Sequence, residues 1–151
     1  MAEENSQLEN EELALKLFVV LSRALESVRK QVVKDIKNYE LNLTEFGVLE
    51  FLYHKGEQPI QSIGKKVLLA SSSITYVVDK LEKKGYLERI ACPKDRRVIY
   101  GRLTEKGQNL MKDIFPQHKQ AMAKIFENLT AEEKKQAIEL LKKIGLFANS
   151  I

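Results

Sequence analysis

Ser71-Ser72-Ser73-Ile74-Thr75-Tyr76-Val77-Val78-Asp79-Lys80-Leu81-Glu82-Lys83-Lys84-Gly85 is the most informative run in this 151-residue chain. Ile74, Val77, Val78 and Leu81 stand at i, i+3, i+4 and i+7, one inward stripe of a helix running from a Ser71 cap to Lys84. Its other side displays Ser72, Thr75, Tyr76, Asp79 and Lys83, with Ser73 and Lys80 near the margins. Gly85 supplies the C-terminal stop.

Downstream the period changes from helical to alternating. Tyr86–Ala91 and Val98–Leu103 are β-prone and flank the polar loop Cys92-Pro93-Lys94-Asp95-Arg96-Arg97, which predicts a hairpin with a basic tip. Upstream, Thr44 is a candidate cap for a helix to His54 with Phe46, Leu49 and Leu52 inward, ended by Gly56. Pro59 then suits the first turn of a short helix through Ile60, Ile63 and Val67. Helix, short helix, capped helix and basic-tipped hairpin make a winged helix-turn-helix over 44–103.

The two ends read as helices. From Glu11 to about Asn38 there is no Pro or Gly, and Leu13, Leu17, Leu21, Ala24, Leu25, Val28, Val32 and Ile36 recur at steps of three and four. Phe18, Val19 and Val20 widen the apolar coverage beyond one face, more than the rest of the chain can cover, which points to a partner chain. Thr104 caps a helix bearing Leu110, Ile114, Ala121 and Ile125, expected to break or bend near Pro116. Thr130 with Glu133 forms a capping box for a last helix carrying Ile138, Leu141, Ile144 and Leu146. The fold class is therefore mainly α with a small β-hairpin. We expect an N-terminal arm and dimerisation helix over 1–40, a winged lobe over 41–104 and C-terminal dimerisation helices over 105–151.

Composition narrows the function. One cysteine excludes a disulfide framework and a cysteine-based zinc site and fits a reducing compartment. The start is acidic (Glu3, Glu4, Glu9, Glu11, Glu12) and no apolar run approaches a membrane span, so a cytoplasmic location is expected. Net charge is +4, but residues 62–106 hold eleven basic against five acidic side chains. That pattern suits a module for a polyanion, or a solvated lysine face.

A B-DNA major groove admits one α-helix whose leading end carries short polar groups. Ser71, Ser72 and Ser73 fit that need, and equally fit a plain cap and polar loop. Thr75 and Tyr76 follow with a hydroxyl and an aromatic edge, and Lys65, Lys66, Lys80 and Lys83 could meet phosphates as point charges. Asp79 is a like-sign liability toward DNA that could orient a lysine instead. At the hairpin tip Lys94, Arg96 and Arg97 match a narrow minor groove, with Asp95 able to hold Arg97 from two residues away.

Asp95-x-Arg97-x-x-x-Gly101-x-Leu103-Thr104-x-x-Gly107 resembles the D-x-R…L-T-x-x-G wing signature of the MarR family of bacterial transcription regulators. Ser73–Leu87 is similar to that family's recognition helix and its exit. Gly101 departs from the branched apolar residue usual there, which suggests a locally weaker wing strand; Gly64 departs likewise from a small helix former. The resemblance implies a homodimer with intertwined terminal helices and two recognition helices in successive major grooves of a pseudo-palindrome. It also implies repression relieved by a small phenolic or aromatic ligand, or by oxidative or electrophile stress. The effector pocket would lie between dimer helices and DNA lobe, with Tyr39, Phe46, His54 and Phe115 as only loose candidates, since core packing is the role aromatics more often have.

Other chemistry has little support. His54 and His118 lack metal-ligand spacing, and no phosphate-binding glycine loop or nucleophile-base pair occurs, so neither metal, cofactor nor enzyme activity is expected. Cys92 lies beside Lys94 and Arg96 and is a candidate redox thiol. Asn42-Leu43-Thr44 and Asn128-Leu129-Thr130 read as helix starts rather than glycan acceptors. The competing reading is a non-regulatory winged-helix module for protein contacts or sequence-indifferent DNA binding.

Overall fold

The computed structural model describes residues 1–67 and 71–151, with the side chains of all of these except Ser71 and Ser72. In chain order they form α1 (Ala2–Lys37), α2 (Leu43–Lys55), β1 (Gln58–Pro59), α3 (Ile60–Lys66), α4 (Ser71–Lys83), β2 (Leu87–Ala91), β3 (Ile99–Leu103), α5 (Glu105–Ile125) and α6 (Ala131–Ser150). The mainly-α class with a winged lobe holds.

Several boundaries differ from the sequence reading for identifiable reasons. α1 starts at Ala2 rather than Glu11, because nothing before Glu11 breaks a helix and Glu3 and Glu4 favour its N-terminal end. Thr44 is not the cap of α2. Asn42 is: its Oδ1 accepts the Glu45 N–H at 2.8 Å, and Glu45 Oε1 accepts the Asn42 N–H at 3.2 Å. Three residues after Thr44 stands Gly47, which has no side chain to close such a box. Pro59 sits just outside α3 rather than in its first turn, because Gln58 and Pro59 pair with Gly101 and Tyr100. The expected hairpin is thus a three-stranded antiparallel sheet ordered β1-β3-β2, with proline confined to an edge. α5 runs unbroken through Pro116, correcting the expected interruption.

Glycine settles two helix ends and two close approaches. Gly56 and Gly85 end α2 and α4 at φ 74° and 82°. Gly101 stands at the middle of β3. It is buried, and a Cβ there would stand 3.2 Å from Ile63 Cδ1, so its absence lets α3 lie against the sheet. At the sheet's exit Thr104 caps α5 by accepting the Gly107 N–H and donates its own hydroxyl to the Gly85 carbonyl. A Cβ on Gly107 would fall 2.1 Å from the Tyr86 carbonyl oxygen.

The core is confined to the middle of the chain. Ile36, Phe46, Val48, Leu49, Leu52, Ile63, Ile74, Val78, Leu81, Leu87 and Met111 are buried together. Residues 1–20 are exposed throughout, and α6 contains no buried residue. Leu13, Leu17, Phe18, Ile138, Leu141 and Phe147 therefore face outward. No helix among the described residues is long and apolar enough to cross a membrane.

Candidate nucleic-acid interface

α4 buries Ile74, Val77, Val78 and Leu81, as its spacing requires, and this leaves Ser73, Thr75, Tyr76, Asp79 and Lys83 outward. Tyr76 is 68% exposed, so its ring is not folded into the lobe. The Ser71 and Ser72 side chains lie outside what the structure describes.

The wing returns to the same face. Arg97 donates its backbone N–H to Asp95 Oδ1 at 3.0 Å and its Nε–H to the same oxygen at 3.2 Å, while the Arg97 side chain stays 91% exposed. Those bonds, the backbone one first and the guanidinium second, hold the Asp95 carboxyl below its ordinary range. Asp95 thereby aims Arg97 without removing it from solvent, as the two-residue spacing predicted. Lys94 and Arg96 are exposed beside it, and Cys92 is a half-buried free thiol at the wing base.

A cleft of about 550 Å³ runs between α3, α4 and the wing. Lys65 of α3, Thr75 of α4 and Arg97 of the wing all line it, together with Gln61, Arg89 and an apolar floor that includes Ile60 and Ile99. Three sequence-predicted residues from three elements are thus brought to one concave surface. Lys66 is exposed on α3 but borders a smaller hollow of about 330 Å³ with His54 and Glu50.

Two charged residues of α4 have partners inside the protein. The Lys80 ammonium, with its side chain 43% exposed, lies 3.8 Å from the carboxylate of Glu45, whose side chain is only 3% exposed. Lys84 donates to the other Glu45 oxygen at 2.7 Å. Burial alone would raise the Glu45 pKa, but the hydrogen bonds from Lys84 and the Asn42 backbone, with both lysine charges, outweigh it and the value is lowered. Asp79 orients no lysine; it accepts from Arg89 of β2 at 2.6 Å, and Glu82 accepts from the same guanidinium at 2.8 Å.

The four candidate effector residues do gather, as a packed chain of rings. Tyr39 stacks on Phe46 at 6.5 Å, Phe46 meets His118 at 4.5 Å, and Phe115 lies 6.3 Å from His118 and 4.7 Å from His54. Phe46 is buried and His54 exposed. His118, 8% exposed, is the centre that sequence reasoning missed. Its Nδ1 is 2.8 Å from Asp35 of α1, and the Tyr39 hydroxyl donates to the other Asp35 oxygen at 2.7 Å. Burial, then the Asp35 hydrogen bond and charge, push the Tyr39 pKa up to about 12. No group able to hold a metal ion occurs among the described residues.

Glu45, Arg89 and Gln61 were also missed. An Asn-x-x-Glu spacing at Asn42 could have flagged Glu45 as a capping acid. Nothing local distinguishes Gln61.

A sequence model described as the MarR family matches residues 41–99. The chain is 54% identical over 137 residues to the HTH-type transcriptional regulator MhqR of Bacillus subtilis (strain 168), covering 91% of this chain and 94% of that one. Its fold is similar to the MarR family transcriptional regulator Sco3205 from Streptomyces coelicolor, solved in complex with DNA: TM-score 0.80, 21% identity, 87% of this chain and 84% of that chain. It is also similar to NadR solved in complex with 4-hydroxyphenylacetate, with TM-score 0.72, 21% identity, and coverage of 83% and 89%.

Proposed function

Because this chain belongs to the MarR family of transcriptional regulators, we propose that it is a cytoplasmic, homodimeric repressor that binds a pseudo-palindromic operator. The observation that carries the reading is the convergence of Lys65, Thr75 and Arg97 on one cleft beside the exposed face of α4. In this reading α4 enters a major groove and offers Ser71, Ser72, Ser73, Thr75 and Tyr76 to bases or adjacent backbone. Lys65 and Lys66 neutralise phosphates, and Lys94, Arg96 and an Asp95-held Arg97 enter the flanking minor groove.

Two copies are needed because one lobe reads only half a site, and half-sites one helical turn apart demand a fixed spacing. The outward apolar residues of α1 and α6 support a second copy as their cover. Release from DNA then follows from a change in lobe spacing, brought about by a small phenolic or aromatic effector or by oxidative or electrophile stress. The ring cluster around His118 supports an aromatic effector because it joins α1, α2 and α5. NadR, which shares the fold, holds a phenol.

The test is a mobility shift on the duplex upstream of the protein's own coding region, with scrambled competitor, repeated with phenols, quinones and peroxide. Selective binding that a phenol or oxidant abolishes is the expected result. Equal affinity for every duplex would favour a sequence-indifferent module and overturn the regulator reading. Replacing Cys92 by Ser leaves the peroxide response unchanged unless that thiol is the sensor.

A further inference from the structure

α4 carries two acidic side chains on the face that the proposed function turns toward DNA. Asp79 and Glu82 are three residues apart, 53% and 42% exposed at the side chain. A carboxylate there opposes the phosphate backbone. Of the helix's own cations, Lys80 is drawn back over Glu45, which leaves Lys83 as the outward lysine of α4. On its own side chains the outer part of this helix would repel a polyanion.

The relief comes from another element. Arg89, at the centre of β2, sends one guanidinium nitrogen to Asp79 at 2.6 Å and another to Glu82 at 2.8 Å, and is itself 26% exposed. The planar fork suits this double task, since both bonds form at once without bending either carboxylate away. Arg89 also lines the cleft that holds Lys65, Thr75 and Arg97.

We infer that Arg89 is a positioning residue for operator binding, which neutralises the paired acids Asp79 and Glu82 of the recognition helix without itself contacting DNA. The inference rests on the reading of α4 as the DNA-facing helix. It assigns affinity to a residue whose charge is spent inside the protein. Direct contact between Arg89 and a phosphate is the rival, and the two differ in what removal of the acids does.

The experiment uses the full-length protein and fluorescence anisotropy on the labelled upstream duplex, with a scrambled duplex alongside. Arg89→Gln should weaken selective binding by about tenfold or more, since two uncompensated carboxylates then face the backbone. Adding Asp79→Asn and Glu82→Gln to that variant should recover most of the loss. A purely structural staple predicts no recovery, because the bonds stay broken, and that result would overturn the inference. In the otherwise native protein, Asp79→Asn with Glu82→Gln should change affinity by less than about threefold. Tightening by tenfold would mean a freed Arg89 grips phosphate, which also overturns it. Where circular dichroism shows Arg89→Gln unfolded, Arg89→Lys carries the test: it gives up the planar fork but keeps the charge, so neutralisation predicts a loss of less than about tenfold. A tenfold loss there would assign the effect to geometry and reject neutralisation. If wild type does not distinguish the two duplexes, the regulator reading fails and the inference with it, an outcome separate from any change among variants.

Discussion

Arg97 and Glu45 show how single side chains serve this lobe in opposite ways, one reaching out and one reaching in. Arg97 is exposed and, among the described residues, is held by its neighbour Asp95, so little of the fold depends on it. Arg97→Ala should weaken operator binding by about 1–3 kcal/mol while the circular dichroism spectrum stays native; unchanged affinity would reject the minor-groove role. Glu45 is buried, ties the start of α2 to the end of α4, and its pKa lies below the ordinary 4.5. A carboxylate lowered on folding contributes stability that is present above its unfolded value and is lost as the pH falls through the folded one. Thermal melts should therefore decline below about pH 4.5, and Glu45→Gln, destabilising by about 1–3 kcal/mol at neutral pH, should flatten that decline. The Asp95–Arg97 link was legible because its partners are two residues apart. The pull of Glu45 on Lys80 was not, because thirty-five residues separate them and no local pattern encodes that contact. The practical consequence is a changed expectation for salt dependence. Lys65→Ala should reduce the slope of log affinity against log salt by about one, and Lys80→Ala by clearly less.

Elements were most legible where periodicity and punctuation agree. α4 and its stop at Gly85 follow from one apolar stripe and one glycine with positive φ. β1 was invisible: two residues, one of them proline, hold no periodic signal, and the strand exists only because β3 lies beside it. Pro116 misled for a related reason, since a proline in α5 removes one hydrogen bond but twenty other residues and their packing sustain the helix. Gly107 is a stricter case. Its missing side chain lets the first turn of α5 press against the carbonyl that closes the sheet, where Thr104 N–H also donates to Tyr86 at 3.1 Å. Gly107→Ala should cost about 2–4 kcal/mol in chemical denaturation and shift the wing relative to α4, because backbone and not a flexible side chain must give way. An alanine variant as stable as wild type would show that α5 can slide freely at that joint.

At the scale of the whole molecule, the winged lobe was readable from one chain, whereas the proposed dimer shows in the sequence only as a surplus of apolar surface. The long N-terminal helix already exposed more apolar faces in sequence than its own chain could cover, and the fold leaves Leu17, Phe18, Leu141 and Phe147 in solvent. Leu17→Glu combined with Leu141→Glu should shift sedimentation toward a single-chain mass and weaken operator binding at least tenfold, since two half-sites then bind independently. A full-mass dimer in that variant would move the interface elsewhere on the molecule. The ring cluster remained half-legible for the same reason: its aromatics are visible in sequence, but His118 and Asp35, eighty-three positions apart, join them only once α1 and α5 cross.

α1 spans about 54 Å at 1.5 Å per residue, and its first twenty residues touch too little of their own chain to be buried anywhere. Most helical stability in proteins comes from packing an apolar face against another element, and this stretch has none from its own chain. Dilution should thus fray this rod from its tip, and trypsin or a glutamate-specific protease should clip it sooner as the concentration falls. The regulator's survival in the cell would then rise with its own abundance.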